Sequence, residues 1–333
     1  DVYQKLNRLQ RNTFNKIILG WSFHLPGPNI VHLFVLYRLF DLKLISLNEI
    51  IQYMRNFRFA NNHIKLNLIY CLMWFAPEIK QKYEHFYQLL LGDLKDFKQN
   101  NPHSLLLIGL DENSLFRNNF ELLKQYRKQG HNHNSLISII INDDVSALQN
   151  YIAQFKIDFN QVINPSFFEI CPFIQNQPTL IELTAFFGSI KCFKYFLLNG
   201  AGLESPRNPE ETVFHFAIAG GNSEIIHICQ QKKLSLIGGL QIAALFHRRS
   251  IMYWLIDDVL QNPKECTKTH GTMIQFAAIS NHLEAIELCF SLKVDVNDGG
   301  LNKTALQEAC ENGNLESVIL LLTSKQINLN SCI

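Results

Sequence analysis

The chain is short of charge, of proline and glycine, and of long uninterrupted apolar runs. Charged residues make up 18% of its 333 positions and hydrophobic ones 47%, a balance that supports a large core and excludes global disorder. Ten prolines and sixteen glycines exclude collagen-like and low-complexity architectures. No segment reaches the roughly 20 apolar residues of a membrane span. Ile30 to Leu47 is interrupted by Arg38, Asp41 and Lys43, and Leu66 to Ala76 is too short. The polar, basic start reads as free of a secretory signal. None of the eight cysteines forms a CxxC pair, which fits free thiols in a reducing, cytoplasmic setting better than a disulfide framework. Phosphate-binding GxxxxGK[ST], GxGxxG, GxSxG and HExxH signatures are missing, so no phosphate loop, hydrolase elbow or zinc-protease helix announces itself.

What charge there is divides unevenly. Residues 1–133 hold 17 Lys and Arg against 10 Asp and Glu, a net +7, and residues 134–333 hold 13 against 19, a net −6. The overall +1 gives no reason to expect nucleic acid. The basic part can face an acidic partner, the acidic part of its own chain, or solvent.

The second part repeats itself. One register recurs: a small or polar residue, an apolar residue two later, a small residue five later and a turn residue nine later. Thr304, Leu306, Ala309 and Gly313 show it best, followed by Thr272–Ile274–Ala277–Asn281, Thr212–Phe214–Ala217–Gly221 and Thr179–Ile181–Thr184–Gly188. Gly238–Leu240–Ala243–His247 and Asn134–Leu136–Ile139–Asp143 are weaker copies. Each runs on into a second apolar segment, as in Ile190 to Leu198 or Leu315 to Leu322. The period predicts stacked helix–turn–helix units, none able to bury its apolar face alone. The long stretch Lys156 to Pro178 reads as an insertion, and Gly200 to Glu211 and Gln261 to His270 read as polar finger loops.

These residues resemble the ankyrin repeat, whose pattern is met by Thr304-Ala305-Leu306-Gln307-Glu308-Ala309 and by Leu197-Leu198-Asn199-Gly200-Ala201. The likeness runs over residues 134–330. The proline after the threonine is absent throughout, and only Thr212-Val213-Phe214-His215 keeps the motif histidine. The resemblance implies an all-α fold: an ankyrin-repeat solenoid of about six divergent repeats at 134–333, with an insertion at about 156–178. It implies a structural hydrogen-bonding role for His215. The whole chain is also similar to divergent protist (parabasalid-type) ankyrin families, through Trp74-Phe75-Ala76-Pro77-Glu78-Ile79 and the opening Ser135 to Asp144.

Residues 1–133 show no repeat. Helical periodicity runs through Ile30 to Phe40, Leu47 to Met54, His63 to Phe75 and Glu84 to Leu91, with Pro26, Pro28, Pro77 and Pro102 marking breaks. Ser46 and Glu49 have capping-box spacing. The apolar run Ser104 to Leu110 suits helix or strand. The region reads as an irregular helical domain that caps the first repeats.

Candidate chemistry is thin. His131 and His133 have no further ligand at metal-site spacing and read as a polar linker. Asp143 and Asp144 fall at a repeat turn and read as helix caps. No cofactor, no metal and no enzymatic activity is expected. The informative positions are the two before each turn residue, which the resemblance places on an exposed concave face. Here they include Phe186, Phe187, Leu245, Phe246, Ile279 and Glu311. Large apolar residues there mark a protein-binding face, unless the insertion, with Phe167, Phe168 and Phe173, folds over them or the register buries them. Glu204, Arg207, Lys264 and Lys268 of the finger loops are the expected specificity contacts. The expected function is a non-catalytic scaffold holding a protein partner. The alternative is a structural component of a cytoskeletal or axonemal assembly, met through the basic first part.

Overall fold

The computed structural model describes residues 30–57, 62–100, 116, 118–129, 135–164, 168–169, 171–206, 212–259, 262–264, 271–300 and 303–329. Its regular structure is helical there, with two isolated bridges, Val162 to Thr179 and Glu204 to Thr212. No described helix is long and apolar enough to cross a membrane. The chain divides into two compact units, Asp1–Asn134 with Ile163–Gln177, and Ser135–Val162 with Pro178–Ile333. His131, His133, Pro26, Pro28, Pro102 and the run Ser104 to Leu110 lie outside the described residues.

The first unit contains α1 (Ile30–Asp41), α2 (Leu47–Phe57), α3 (Asn62–Lys82), α4 (Glu84–Asn100) and α5 (Glu121–Gln129). The Ser46–Glu49 box forms: the Ser46 N–H donates to Glu49 Oε2 at 2.8 Å, and the Glu49 N–H to Ser46 Oγ at 3.3 Å. Two orphan donors at the start of α2 are thereby satisfied. The core gathers round Trp74, which is fully buried. Phe34 and Tyr37 pack on its indole at 6.0 and 5.9 Å between ring centroids, and Phe168 of the insertion at 5.6 Å. Phe168 also meets Tyr126 at 5.6 Å, so this phenylalanine belongs to the first unit's core.

Pro77 corrects an expectation, because it lies inside α3 and does not end it. It has no N–H to offer the carbonyl four residues back. At the next carbonyl, that of Trp74, Arg127 of α5 donates from Nη1 at 2.8 Å. The same guanidinium forks onto Glu78 at 2.7 and 2.6 Å and stands 4.6 Å from the centre of the Tyr37 ring. One buried cation thus joins the proline turn of α3 to α5 and to the aromatic core. Removing one partner of such a pair strands the other's charge. Arg127→Met is expected to destabilise this unit by about 3 kcal/mol in urea unfolding, and Arg127→Lys to recover only part, since it cannot fork.

The second unit is a stack of helix pairs. An inner helix is followed by an outer one in α6 (Ser135–Ile141) and α7 (Val145–Phe155), α8 (Leu180–Phe187) and α9 (Ile190–Leu198), and α10 (Val213–Gly220) and α11 (Ser223–Gln231). The series continues with α12 (Gly239–Leu245) and α13 (Arg249–Asp257), α14 (Met273–Ile279) and α15 (Leu283–Ser291), and α16 (Ala305–Glu311) and α17 (Leu315–Leu322). The turn position of all six pairs is left-handed, with φ of 52° at Asp143, 70° at Gly188, 81° at Gly221, 55° at His247, 56° at Asn281 and 69° at Gly313. Gly, Asn, Asp and His are the residues that tolerate this region best. Inner helices approach closely through small side chains, and Ala217, Ala243, Ala277 and Ala309 are fully buried.

Such close stacking buries helix ends, whose N–H and C=O groups have no partner within the helix. Side chains from the same and the neighbouring pair supply partners. At the inner-helix N-termini, Thr179, Thr212, Thr272 and Thr304 form capping boxes with Glu182, His215, Gln275 and Gln307. The side chain at the third helical position also reaches forward. His215 Nε2 bonds the Ile237 carbonyl at 2.7 Å, Gln241 Nε2 that of Gly271 at 3.3 Å, and Gln275 Nε2 that of Lys303. His215 therefore does what the repeat motif implies: Nδ1 accepts from the Thr212 N–H at 3.0 Å while Nε2 donates to the next pair.

At the inner-helix C-termini a second ladder runs backward. The residue preceding each outer helix donates to the pair before it. Ser189 Oγ meets the Ile140 carbonyl at 2.6 Å, Asn222 Nδ2 that of Gly188 at 3.3 Å, and Arg248 Nε that of Ala219 at 2.8 Å. His282 Nδ1 meets Ala244 at 2.8 Å and Asn314 Nδ2 meets Ala278 at 2.7 Å. Asp144 caps α7 as expected, accepting from the Ala147 N–H at 2.9 Å. Asp143 reaches further, accepting at 2.9 Å from the Cys192 N–H at the start of α9.

His282 is the titrating rung. Burial holds its imidazole below the ordinary value, the Ala244 carbonyl opposes this, and His247 stacked 4.1 Å away adds to it. The unfolded chain therefore takes up the proton at a higher pH than the folded one, and stability is lost as the pH falls below 6.5. His282→Asn keeps a donor of the kind Asn314 supplies and removes the titration. Thermal melts between pH 7.5 and 5 are expected to show a shallower acid decline for this variant than for the parent.

Candidate functional site

Almost every side chain of the inner helices from α8 to α14 is buried. Apart from Phe276 in the middle of α14, the exceptions fall at their C-terminal ends. Phe186, Phe187, Leu245, Phe246 and Ile279 are half-buried, and Glu311 in α16 is exposed. The five apolar residues are thus neither sunk in the core nor fully open to water.

The phenylalanines form one cluster. Phe186 and Phe187 meet edge to face at 5.4 Å and 89°, and Phe186 meets Phe246 at 5.9 Å and 78°. Phe186 belongs to α8 and Phe246 caps α12, so the contact skips the pair between them. It can do so because that pair offers Ala219 and Gly220. A Cβ on Gly220 would lie 2.7 Å from the Ala185 carbonyl oxygen and closer still to that of Phe186. The backbone of α10 therefore presses on the end of α8, and no side chain stands between the two rings. Edge-to-face pairs of this kind add about 0.5–1.5 kcal/mol to the burial energy.

The remaining expected site residues are dispersed. Glu311 pairs with Lys303 at 2.5 Å, an exposed ion pair of small energetic weight. Nearby, burial pushes the Glu308 carboxyl above its usual range, with Lys303 opposing and Glu311 adding. Glu204 is exposed and forms the bridge to Thr212, and Lys264 is exposed, its N–H held at 3.0 Å by Asn262 Oδ1. Arg207 and Lys268 lie outside the described residues. Among the described residues no three His, Cys, Asp or Glu side chains gather as metal ligands. Burial pushes the thiols of Cys192, Cys229 and Cys289 up to about 12, which keeps them protonated and unreactive near neutral pH.

The loops carry a device that the repeat register did not reveal. Lys156-Ile157-Asp158-Phe159-Asn160 and Lys293-Val294-Asp295-Val296-Asn297 share one pattern. In both the lysine is left-handed, at φ 50° and 55°, and the Asp side chain accepts from the Asn N–H at 2.9 Å. The Asn side chain then accepts at 2.7 Å from the next loop, from Gly202 in one case and Asn328 in the other. Repetition of this five-residue string was the available signal. It ties successive finger loops together.

Gly220 gives the arrangement a sharp test. Alanine in place of a mid-helix glycine normally adds up to about 1 kcal/mol of stability, and Gly92→Ala, where a Cβ meets nothing within 4 Å, is expected to do so. Gly220→Ala is expected to do the opposite and cost about 1–3 kcal/mol, measured by chemical unfolding of both variants.

Residues 240–331 match the family model of ankyrin repeats (3 copies). No curated protein matches the chain. Among solved structures, the crystal structure of the human ASB11 ankyrin repeat domain is similar at 19% identity, over 60% of this chain and 86% of that one, with a TM-score of 0.41. The matched stretch holds the pairs α12–α13, α14–α15 and α16–α17, and the pairs before it repeat the same left-handed turn and the same ladder bonds. Residues 240–331 carry ankyrin repeats.

Proposed function

We propose that the repeat unit is a non-catalytic scaffold that holds a protein partner on its inner-helix face, around Phe186, Phe187, Leu245, Phe246 and Ile279. The observation that carries this is the half-buried aromatic cluster bridging α8 and α12. Stacking does not require it, since α10 completes its own contacts with Ala219 and Gly220 at the equivalent positions. Large aromatic side chains left partly open at the centre of a rigid face are the usual anchors of protein interfaces. Glu311 and the finger loops, with Glu204, Arg207, Lys264 and Lys268, flank this patch in the proposal and select among partners by charge.

The kinship with parabasalid-type families remains our reading of the Trp74–Ile79 segment and the Ser135–Asp144 opening, and none of the comparisons bears on it. The cytoskeletal or axonemal alternative rests on the +7 charge of residues 1–133 alone.

The test is a paired capture from the protein's own cells with the parent chain and with Phe187→Glu/Phe246→Glu. A specific partner is expected to be retained by the parent and lost, by about a hundredfold in affinity, from the variant. Helicity should be unchanged and the Tm lowered by only a few degrees. Retention by both chains would move the site off this face. Release of the parent from a detergent-insoluble fraction only by high salt would favour the assembly reading.

A further inference from the structure

The first unit holds a cavity that its core packing leaves unfilled. It measures about 610 Å³ and lies between the last turns of α3, the start of α4 and the start of α5, within the size range of small-molecule sites. One wall is the turn Asn118–Phe120, where three successive residues are left-handed at φ 47°, 54° and 64°. Asparagine tolerates that conformation and phenylalanine resists it. Burial accounts for Phe120, whose ring is 4% exposed and packs on Tyr87 and Phe116. It does not account for Asn119, which is exposed and lines the cavity. Strain kept at such a point is a mark of binding sites.

The charges on the walls define the ligand. Glu78 is engaged, since the Arg127 guanidinium forks onto both its oxygens. Glu84 accepts from Gln88 Nε2 at 2.7 Å. The two lysines are not neutralised in this way. Lys80 Nζ stands 5.6 and 5.8 Å from the centres of the Phe120 and Tyr87 rings, which hold an ammonium in place without cancelling its charge. No carboxylate pairs with it among the described residues. Lys124 lies 3.7 Å from Glu121, beyond hydrogen-bond length. The side-chain amides of Gln81 and Asn119 make no hydrogen bond among the described residues. The cavity therefore offers uncommitted donors and positive charge, while both its carboxylates are already bonded. It is too large for one inorganic ion, and half-buried Pro77 and Phe116 give an organic body an apolar wall. We propose that the first unit binds a small organic anion here, with two or more carboxylate or phosphoryl groups shared between Lys80 and Lys124. The site does not depend on the partner proposed for the repeat unit.

Isothermal titration of the full chain at constant ionic strength tests this with two probes, citrate for the carboxylate class and inorganic pyrophosphate for the phosphoryl class. At least one is expected to bind saturably with a Kd below about 1 mM, and binding of one alone assigns the class. Lys80→Gln/Lys124→Gln is expected to weaken that binding about tenfold or more. Lys95→Gln/Lys128→Gln removes two exposed lysines that do not line the cavity and should bind like the parent. Asn119→Gly separates binding from folding. Glycine adopts the φ of 54° freely, so the melt should hold or rise while binding weakens about threefold or more. A Kd above about 1 mM for both probes overturns the proposal. So does a Lys80→Gln/Lys124→Gln chain that binds like the parent, or an equal loss from Lys95→Gln/Lys128→Gln. Unchanged binding by Asn119→Gly overturns the part given to Asn119.

Discussion

Backbone groups at the ends of short helices must find partners, and most of the repeat unit is arranged around that need. An inner helix of seven or eight residues leaves about as many N–H and C=O groups unpaired at its ends as it pairs inside. In water these ends would be solvated. In the stack they are buried, and each unpaired group would cost on the order of 1–3 kcal/mol. The forward ladder from His215, Gln241 and Gln275 and the backward ladder from Ser189, Asn222, Arg248, His282 and Asn314 meet this cost. What the ladder requires is a donor at a fixed distance, not one residue type. Hydroxyl, amide, guanidinium and imidazole all serve, which is how copies this divergent still stack.

The same reasoning separates what could be read from the sequence from what could not. The left-handed turns and threonine caps are local demands, and a local demand leaves its mark at a fixed spacing. All six turn residues named from the register take positive φ, and four of the copies carry a threonine capping box. The weak copy at Gly238 uses a left-handed glycine, φ 86°, where those four use threonine. Ladder partners lie 22 to 49 residues apart, and their chemistry varies from rung to rung, so no periodic signal betrays them. Pro77 misled for a related reason. Its local effect is to end a helix, and what offsets that effect is Arg127, 50 positions further along the chain.

The aromatic cluster was legible only as a set of positions. Placing large apolar residues before the turns follows from the register, but the Phe186–Phe246 contact depends on what is missing between them. Glycine at 220 brings α10 against the carbonyls of α8, and alanine at 219 is fully buried. A reading that scores each repeat by its own residues sees a pair with nothing to offer at this point. In three dimensions that pair is the floor over which its neighbours' rings meet.

Stacking therefore gives a criterion for separating structure from function along the unit. A residue is accounted for when it fills the space between helices, closes a ladder bond or sets a turn, and by this measure nearly every inner-helix side chain from α8 to α14 is accounted for. Phe187 and Phe246 are less so. Both are large, apolar and half-buried at the position where the other copies place Asn142, Gly220, Ser280 and Asn312, and each meets the ring of Phe186. Keeping such side chains partly in water costs about 25 cal/mol for every Å² of apolar surface left exposed, and the edge-to-face contacts with Phe186 are what the unit itself sets against that cost. A partner seated on this face, as proposed, would remove the rest.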